Sequence, residues 1–192
     1  MIHKKTIRLI RNFVCLIGLI GVLPLLIVVG LIIIIEDGFP VFFIQERIGK
    51  DKKNFKIIKI RTLKKHAPHT GTHELQNIHL LNNGKWIRKI KLDEFPQLIN
   101  VLKGDVNLVG PRPGLISQDE LLKARSLKNI YKVKPGITGL AQILGYDMSD
   151  PIKLAEIDET YIINRSIGLD FLIILGTFFQ SPKQKLKIKF KI

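Results

Sequence analysis

The chain has 192 residues, 46% of them hydrophobic, which is enough for one domain of ordinary size plus an appendage. Its 31 Lys and Arg against 16 Asp and Glu give a formal charge of +15, an excess that points to phosphate-bearing partners: nucleic acid, anionic lipid or phosphorylated substrates. The single Cys15 excludes an intramolecular disulfide and a cysteine-based metal cluster, which suits a reducing compartment.

The first element is the uncharged run from Phe13 to Ile35, 23 residues. As a helix it measures about 34 Å against a hydrocarbon core of about 30 Å, so it can reach across a bilayer. It is too long for a signal-peptide core and meets Glu36-Asp37 rather than a small-residue cleavage site. Lys4, Lys5, Arg8 and Arg11 precede it, and Arg47, Lys50, Lys52, Lys53, Lys56, Lys59 and Arg61 follow. The positive-inside rule wants both flanks in the cytoplasm. Pro24 at the midpoint, near Gly21, removes a helical hydrogen bond and permits a bend that returns the chain to its starting face. A tilted, kinked span satisfies the same physics, because proline is tolerated in membrane helices. On physics alone the two topologies stand level.

Next, "FPVFFIQERIGKDKKNFKIIKIRTL" has two apolar stretches around a Gly-Lys-Asp-Lys-Lys-Asn turn and predicts a strand pair. Residues 66–84 lack periodicity and read as a loop with at most one short helix. The spacing of His66, His69, His73 and His79 does not match a two-histidine helical zinc motif.

In "DEFPQLINVLKG", Phe95, Leu98, Ile99 and Leu102 fall at helical spacing, with Pro96 in the first turn and Gly104 at the end. Asp93 and Glu94 stand at its entrance. As capping and dipole charges they are worth roughly 0.3–1 kcal/mol each, which does not explain the surrounding cations.

"NLVGPRPG" and "VKPGITGLAQILG" predict tightly turned backbone, with Arg112 fixed between Pro111 and Pro113 in a manner suited to phosphate. "DPIKLAEIDETYIINRS" carries Ile152, Ala155, Ile157 and Tyr161 in a helical stripe. "IGLDFLIILGTFFQ" is too short to span and predicts an interfacial or core helix. The tail "KQKLKIKFKI" brings five lysines, favouring anionic headgroups at roughly 1 kcal/mol per charge.

Four blocks in order, "FIQERIGKDKKNFKIIKIRTL", "LDEFPQLINVLKGDVNLVGPRP", "YKVKPGITGLAQILG" and the spaced Asp158, Tyr161, Asn164, Ser166 and Asp170, resemble the bacterial sugar transferase family, the monotopic polyprenyl-phosphate phosphoglycosyl transferases. The resemblance implies an α+β, membrane-associated protein. Residues 1–37 would form a re-entrant membrane helix bent at Pro24. Residues 38–192 would form a small, mainly helical cytoplasmic domain with a short strand pair, interfacial helices and the basic tail.

The same resemblance implies an enzyme of the bacterial inner membrane that moves sugar phosphate from a UDP-sugar to a polyprenyl phosphate, such as undecaprenyl phosphate, through a covalent aspartyl intermediate, releasing UMP. Asp93 would be the nucleophile with Glu94 beside it, both at a Mg2+ ion. Lys59, Arg61, Arg88, Arg112 and Gln142 would bind substrate. Anionic lipids of the inner membrane are expected partners, nucleic acid is not, and a homodimer is compatible.

Three positions depart from the family pattern: Leu23 replaces a Ser before the bend, Leu140 a Trp, and Tyr146 an Arg. A nucleic-acid-binding protein would fit the charge but not the membrane run or the 7% aromatic content. A membrane-anchored scaffold would need neither the acidic pair nor the fixed Arg112.

Overall fold

In the computed structural model the described residues are 2–67 and 79–190. His69 and His73 therefore lie outside them. The chain divides into two compact units, Met1–Gln45 with Lys56–Gly104, and Glu46–Phe55 with Asp105–Ile192.

The first unit begins with α1 (Ile2–Asp37), a 36-residue helix that contains Pro24. Its stretch Arg8–Asp37 is long and apolar enough to cross a membrane. Leu26, Val29 and Ile33, spaced three and four apart, bury one stripe in a core with Ile60, Leu81, Ile87 and Leu92. Most of the remaining apolar side chains, from Leu9 to Ile35, are exposed.

After Gly38, whose left-handed backbone (φ 64°) ends the helix, the predicted hairpin forms from β1 (Phe42–Ile48) and β2 (Asn54–Ile60). Helix α2 (Gly84–Lys89), a 3-10 turn at Leu92–Glu94 and α3 (Gln97–Lys103) complete the unit.

Helix α3 exists as the sequence predicts, but its apolar stripe is not its deepest face. Phe95, Leu98, Ile99 and Leu102 are half-buried, whereas Gln97, Asn100 and Val101 are buried. Asn100 explains the rotation. Its Oδ1 accepts from Ile58 N (3.1 Å) and its Nδ2 donates to Lys56 O (2.8 Å), so one amide pairs the backbone of β2 as a neighbouring strand would. The apolar stripe is left for α1, where a Cβ at Gly18 would stand 3.6 Å from Leu98 Cδ1.

The second unit holds the hairpin tip, β3 (Asn107–Val109), α4 (Asp119–Leu127), β4 (Gly136–Thr138), α5 (Leu140–Leu144), α6 (Pro151–Ile163), α7 (Ile167–Phe178) and α8 (Gln180–Phe190). β3 and β4 pair in parallel, Asn107 with Gly136 and Val109 with Thr138, a second strand pair beyond the one predicted. The glycines allow it. A Cβ on Gly110 would lie 2.8 Å from Lys134 O and 2.9 Å from Gly136 N, so the two Gly-Pro segments touch backbone to backbone.

Helix α6 buries Leu154, Ala155, Ile157, Asp158 and Tyr161 and leaves Ile152 exposed, which moves the stripe and adds a charge to it. Helix α7 is both a core and a surface helix: Leu169, Ile173 and Gly176 are buried, while Ile167, Phe171 and Phe178 are exposed. The tail is the helix α8, with Leu186 fully buried and Ile188 exposed. Leu140, at the position of the family's Trp, is fully buried in this unit's core.

Candidate active site

The acidic pair is placed by a tight reversal. Helix α2 ends at Lys89, and Lys91 adopts left-handed backbone (φ 61°, ψ 17°). The 3-10 turn follows, closed by hydrogen bonds from Glu94 N to Lys91 O (3.1 Å) and from Phe95 N to Leu92 O (3.3 Å). Leu92 anchors the turn in the core. The N-cap residue of α3 is Pro96, so neither acid caps that helix, and the capping role the sequence suggests is corrected to a place in the preceding turn.

Three expected residues converge on Asp93. Lys59 on β2 puts Nζ 3.0 Å from Glu94 Oε1, with both side chains largely buried. Arg88 on α2 donates from Nε to Thr62 Oγ1 at 2.8 Å. Asp93 is 9% exposed, and burial raises its carboxyl above the ordinary value. Lys59, Arg88 and Lys91 pull the other way, while Glu94 adds to the rise. Burial in turn lowers the Arg88 guanidinium, against which the charge of Asp93 acts. The group is thus a desolvated carboxylate kept ionisable by cations fixed on separate elements.

Arg61 is directed elsewhere. Its guanidinium pairs with the Asp37 carboxylate and donates to Pro40 O (2.6 Å) and Gly38 O (2.5 Å), fastening β2 to the exit of α1. The sequence signal for this role is Asp37 closing the apolar run, 24 residues before Arg61.

In the second unit Arg112 lies in the Val109–Gly114 loop. Arg125 Nη1 donates to Arg112 O at 2.7 Å, and Arg47 Nη1 donates to Pro113 O at 3.3 Å. Burial first, and then the charge of Arg112, push the Arg47 guanidinium down to about 10. Gln142 donates to Ile137 O at 3.0 Å, and its Oε1 is buried with no hydrogen-bond partner among the described residues. Arg47, Thr62, Asn100 and Arg125 are the residues sequence reasoning missed. Each acts through a partner distant along the chain.

Among the described residues no group of three or more His, Cys, Asp and Glu side chains forms a closed metal cage. Asp93 and Glu94 nevertheless fit Mg2+, which binds proteins through one or two carboxylates and completes its octahedron with water and substrate phosphate.

The sequence model of the family described as bacterial sugar transferase matches residues 2–184. An uncharacterized sugar transferase of Bacillus subtilis (strain 168) is 41% identical over 143 residues, 74% of this chain and 70% of that protein. A UDP-N-acetylgalactosamine-undecaprenyl-phosphate N-acetylgalactosaminephosphotransferase of Aeromonas hydrophila is 37% identical over 161 residues, 80% of this chain and 38% of that protein. A UDP-glucose:undecaprenyl-phosphate glucose-1-phosphate transferase of Klebsiella pneumoniae is 39% identical over 173 residues, 84% of this chain and 37% of that protein. The chain thus spans well under half the length of these last two relatives.

Proposed function

The chain belongs to the bacterial sugar transferase family, and on that premise we propose that it transfers a sugar phosphate from a UDP-sugar to polyprenyl phosphate, undecaprenyl phosphate by analogy with its relatives' names. The observation that carries the reading is the buried Asp93 carboxylate, beside a Glu94 held by Lys59 and near the Arg88 cation.

In the proposed first step an Asp93 oxygen attacks the β-phosphorus of the UDP-sugar. An O–P bond forms, the bond from that phosphorus to the bridging oxygen breaks, and UMP departs with the bridging oxygen. In the second step a phosphate oxygen of the polyprenyl phosphate attacks the same phosphorus. The aspartyl O–P bond breaks, giving polyprenyl diphosphate-sugar and restoring the carboxylate. A two-step transfer lets one carboxylate serve two phosphorylated substrates in turn.

Burial raises the Asp93 carboxyl, Lys59 and Arg88 oppose that rise and favour its anionic form, and a desolvated anion attacks more readily than a hydrated one. Mg2+ held by Asp93 and Glu94 would neutralise charge on the diphosphate. Arg112 is assigned to substrate phosphate, and Gln142 offers a buried acceptor to a substrate N–H or O–H. The proposed location is the bacterial inner membrane with the catalytic residues on the cytoplasmic face, where UDP-sugars are found. The apolar surface of α1 and the exposed Phe171, Phe178 and Phe179 near the lysines of α8 support a membrane seat.

The test is UMP release by the purified protein from a panel of UDP-sugars with magnesium, without and with polyprenyl phosphate. Expected is one equivalent of UMP without acceptor and a sugar-phosphate adduct on Asp93 by mass spectrometry, both absent in Asp93→Asn. UMP formed only when lipid is present, with no adduct, would replace the covalent route with direct transfer.

A further inference from the structure

The loop Val109–Gly114 is fixed from several sides within the second unit. Gly110 N donates to Thr138 O and Gly136 N to Pro111 O, each at 2.9 Å. Tyr161 Oη, which also donates to Asp170 Oδ1 at 2.7 Å, lies 3.3 Å from Val109 O. Pro111 and Pro113 have no N–H, so the loop around Arg112 is secured chiefly through its carbonyls. At Arg112 itself the donor is a charged, buried side chain, Arg125.

Arg125 on α4 and Asp158 on α6 form an ion pair whose members are 2% and 3% exposed. Arg125 Nε and Nη2 both donate to Asp158 Oδ2, at 3.0 and 2.6 Å. A pair so buried adds little net stability, and apolar side chains of similar volume often serve as well or better. What apolar side chains cannot supply is direction. Asp158 fixes the plane of the guanidinium, and the remaining arm, Nη1, is thereby aimed at the carbonyl of Arg112.

We infer that Arg125 and Asp158 are positioning residues for Arg112, setting the backbone from which its side chain meets substrate phosphate. The inference rests on the proposed role of Arg112. It explains why a fork-shaped cation sits here: a lysine ammonium lacks the rigid fork that serves the carboxylate and the carbonyl together. Displacement of a binding group by about 1 Å costs up to about a hundredfold in rate, so the expected effect is large.

The experiment compares wild type, Arg112→Met, Arg125→Lys, the apolar double variant Arg125→Met/Asp158→Leu, and that double variant combined with Arg112→Met. Thermal midpoint, kcat and KM are measured by UMP release from UDP-glucose and UDP-N-acetylgalactosamine, using whichever supports turnover. The double variant is expected to melt no lower than wild type while KM rises at least about tenfold. Adding Arg112→Met to it should cost much less than in the wild-type background, because the two changes disable one contact. A purely structural pair would lower the active fraction, leave KM unchanged and give additive losses, and that result overturns the proposal. If the double variant does not fold, Arg125→Lys decides, since it retains the charge opposite Asp158: a raised KM supports the inference, and a wild-type KM ends it. Wild-type KM in Arg112→Met alone would instead remove the assigned role of Arg112, and the positioning role with it.

Discussion

Lys59 Nζ and Glu94 Oε1 lie 3.0 Å apart, joining strand β2 to the 3-10 turn that carries the acidic pair. The contact puts the ammonium on the second carboxylate while its charge still lowers the pKa of the first. Lys59 thus holds Glu94 in place and favours the anionic form of Asp93.

Replacing Lys59 with Met should therefore lower UMP release by at least tenfold. It should also destabilise the protein by about 1–3 kcal/mol, the range for losing a charged partner in a largely buried pair. Lys59→Arg, which keeps the charge with a different reach, should recover part of the rate. Initial rates and thermal melts of the two variants check this. A Lys59→Met enzyme with wild-type turnover would leave the lysine as a fold residue only.

Much of this arrangement is visible in the sequence because it is local. The α1 run needs only its length and flanking charges, the hairpin its turn residues, and the Asp93-Glu94 pair its adjacency. The strand pair β3–β4 is not visible, because three-residue strands carry no period and their pairing depends on glycines in two segments meeting. The Arg125–Asp158 pair is hidden for the same reason: its members are 33 residues apart and resemble ordinary helix-surface charges. Arg61 shows a related confusion, since a motif rich in cations does not say which of them a neighbouring carboxylate has claimed. The buried face of α3 cannot be read from apolar spacing, because counting apolar residues assumes that the deepest position is apolar, whereas Asn100 sits there to complete a strand edge.

Asn100→Leu should accordingly be worse than its volume suggests. The leucine fills the space but leaves Ile58 N and Lys56 O without the side-chain amide that pairs them. A destabilisation of about 2–5 kcal/mol is expected for two buried backbone groups losing a partner. Amide hydrogen exchange at Ile58 should accelerate more than at Ile48 on the other strand. Equal protection at Ile58 in variant and wild type would show that water or a neighbouring group replaces the amide.

The second unit should be stabilised by anions. Arg47 is buried, and first its burial and then the charge of Arg112 push its guanidinium down to about 10, below the ordinary guanidinium range. At pH 7 Arg47 is charged in the folded and unfolded states alike, so the full cost of that charge is present. Above about pH 10 the folded state binds fewer protons than the unfolded state, until the unfolded guanidinium also titrates, and over that window this contribution to stability rises with pH. A phosphate or sulfate near both guanidinium groups offsets the cost at neutral pH. Sulfate or UDP should therefore raise the melting temperature above that in chloride of equal ionic strength, and Arg47→Met should lose at least half of the gain. An identical gain in the variant would mean that the anion binds elsewhere.

The last expectation concerns α1. Residues before and after Pro24 both lie on the first unit: a Cβ at Gly18 would contact Leu98, one at Gly30 would contact Val41, and Cys15 and Ile33 are both buried. In a straight crossing the Gly18 end, with Leu98 of α3 beside it, would lie within the lipid, although α3 directly follows the charged turn at Asp93 and Glu94. A helix bent at Pro24 that returns to one membrane face keeps both contacts beside the same unit, and the positive charge on both flanks favours that outcome. With Cys15 replaced by Ser, single cysteines at His3 and Lys50 should both resist an impermeant thiol reagent applied to intact cells, and both should react once the membrane is opened. Labelling of the residue 3 cysteine from outside, with residue 50 protected, would establish a full span. Replacing Pro24 with Ala restores the missing hydrogen bond and should shift residue 3 toward external labelling. Protection that persists in this variant would assign the bend to the packing of Gly18 and Leu98 rather than to the proline.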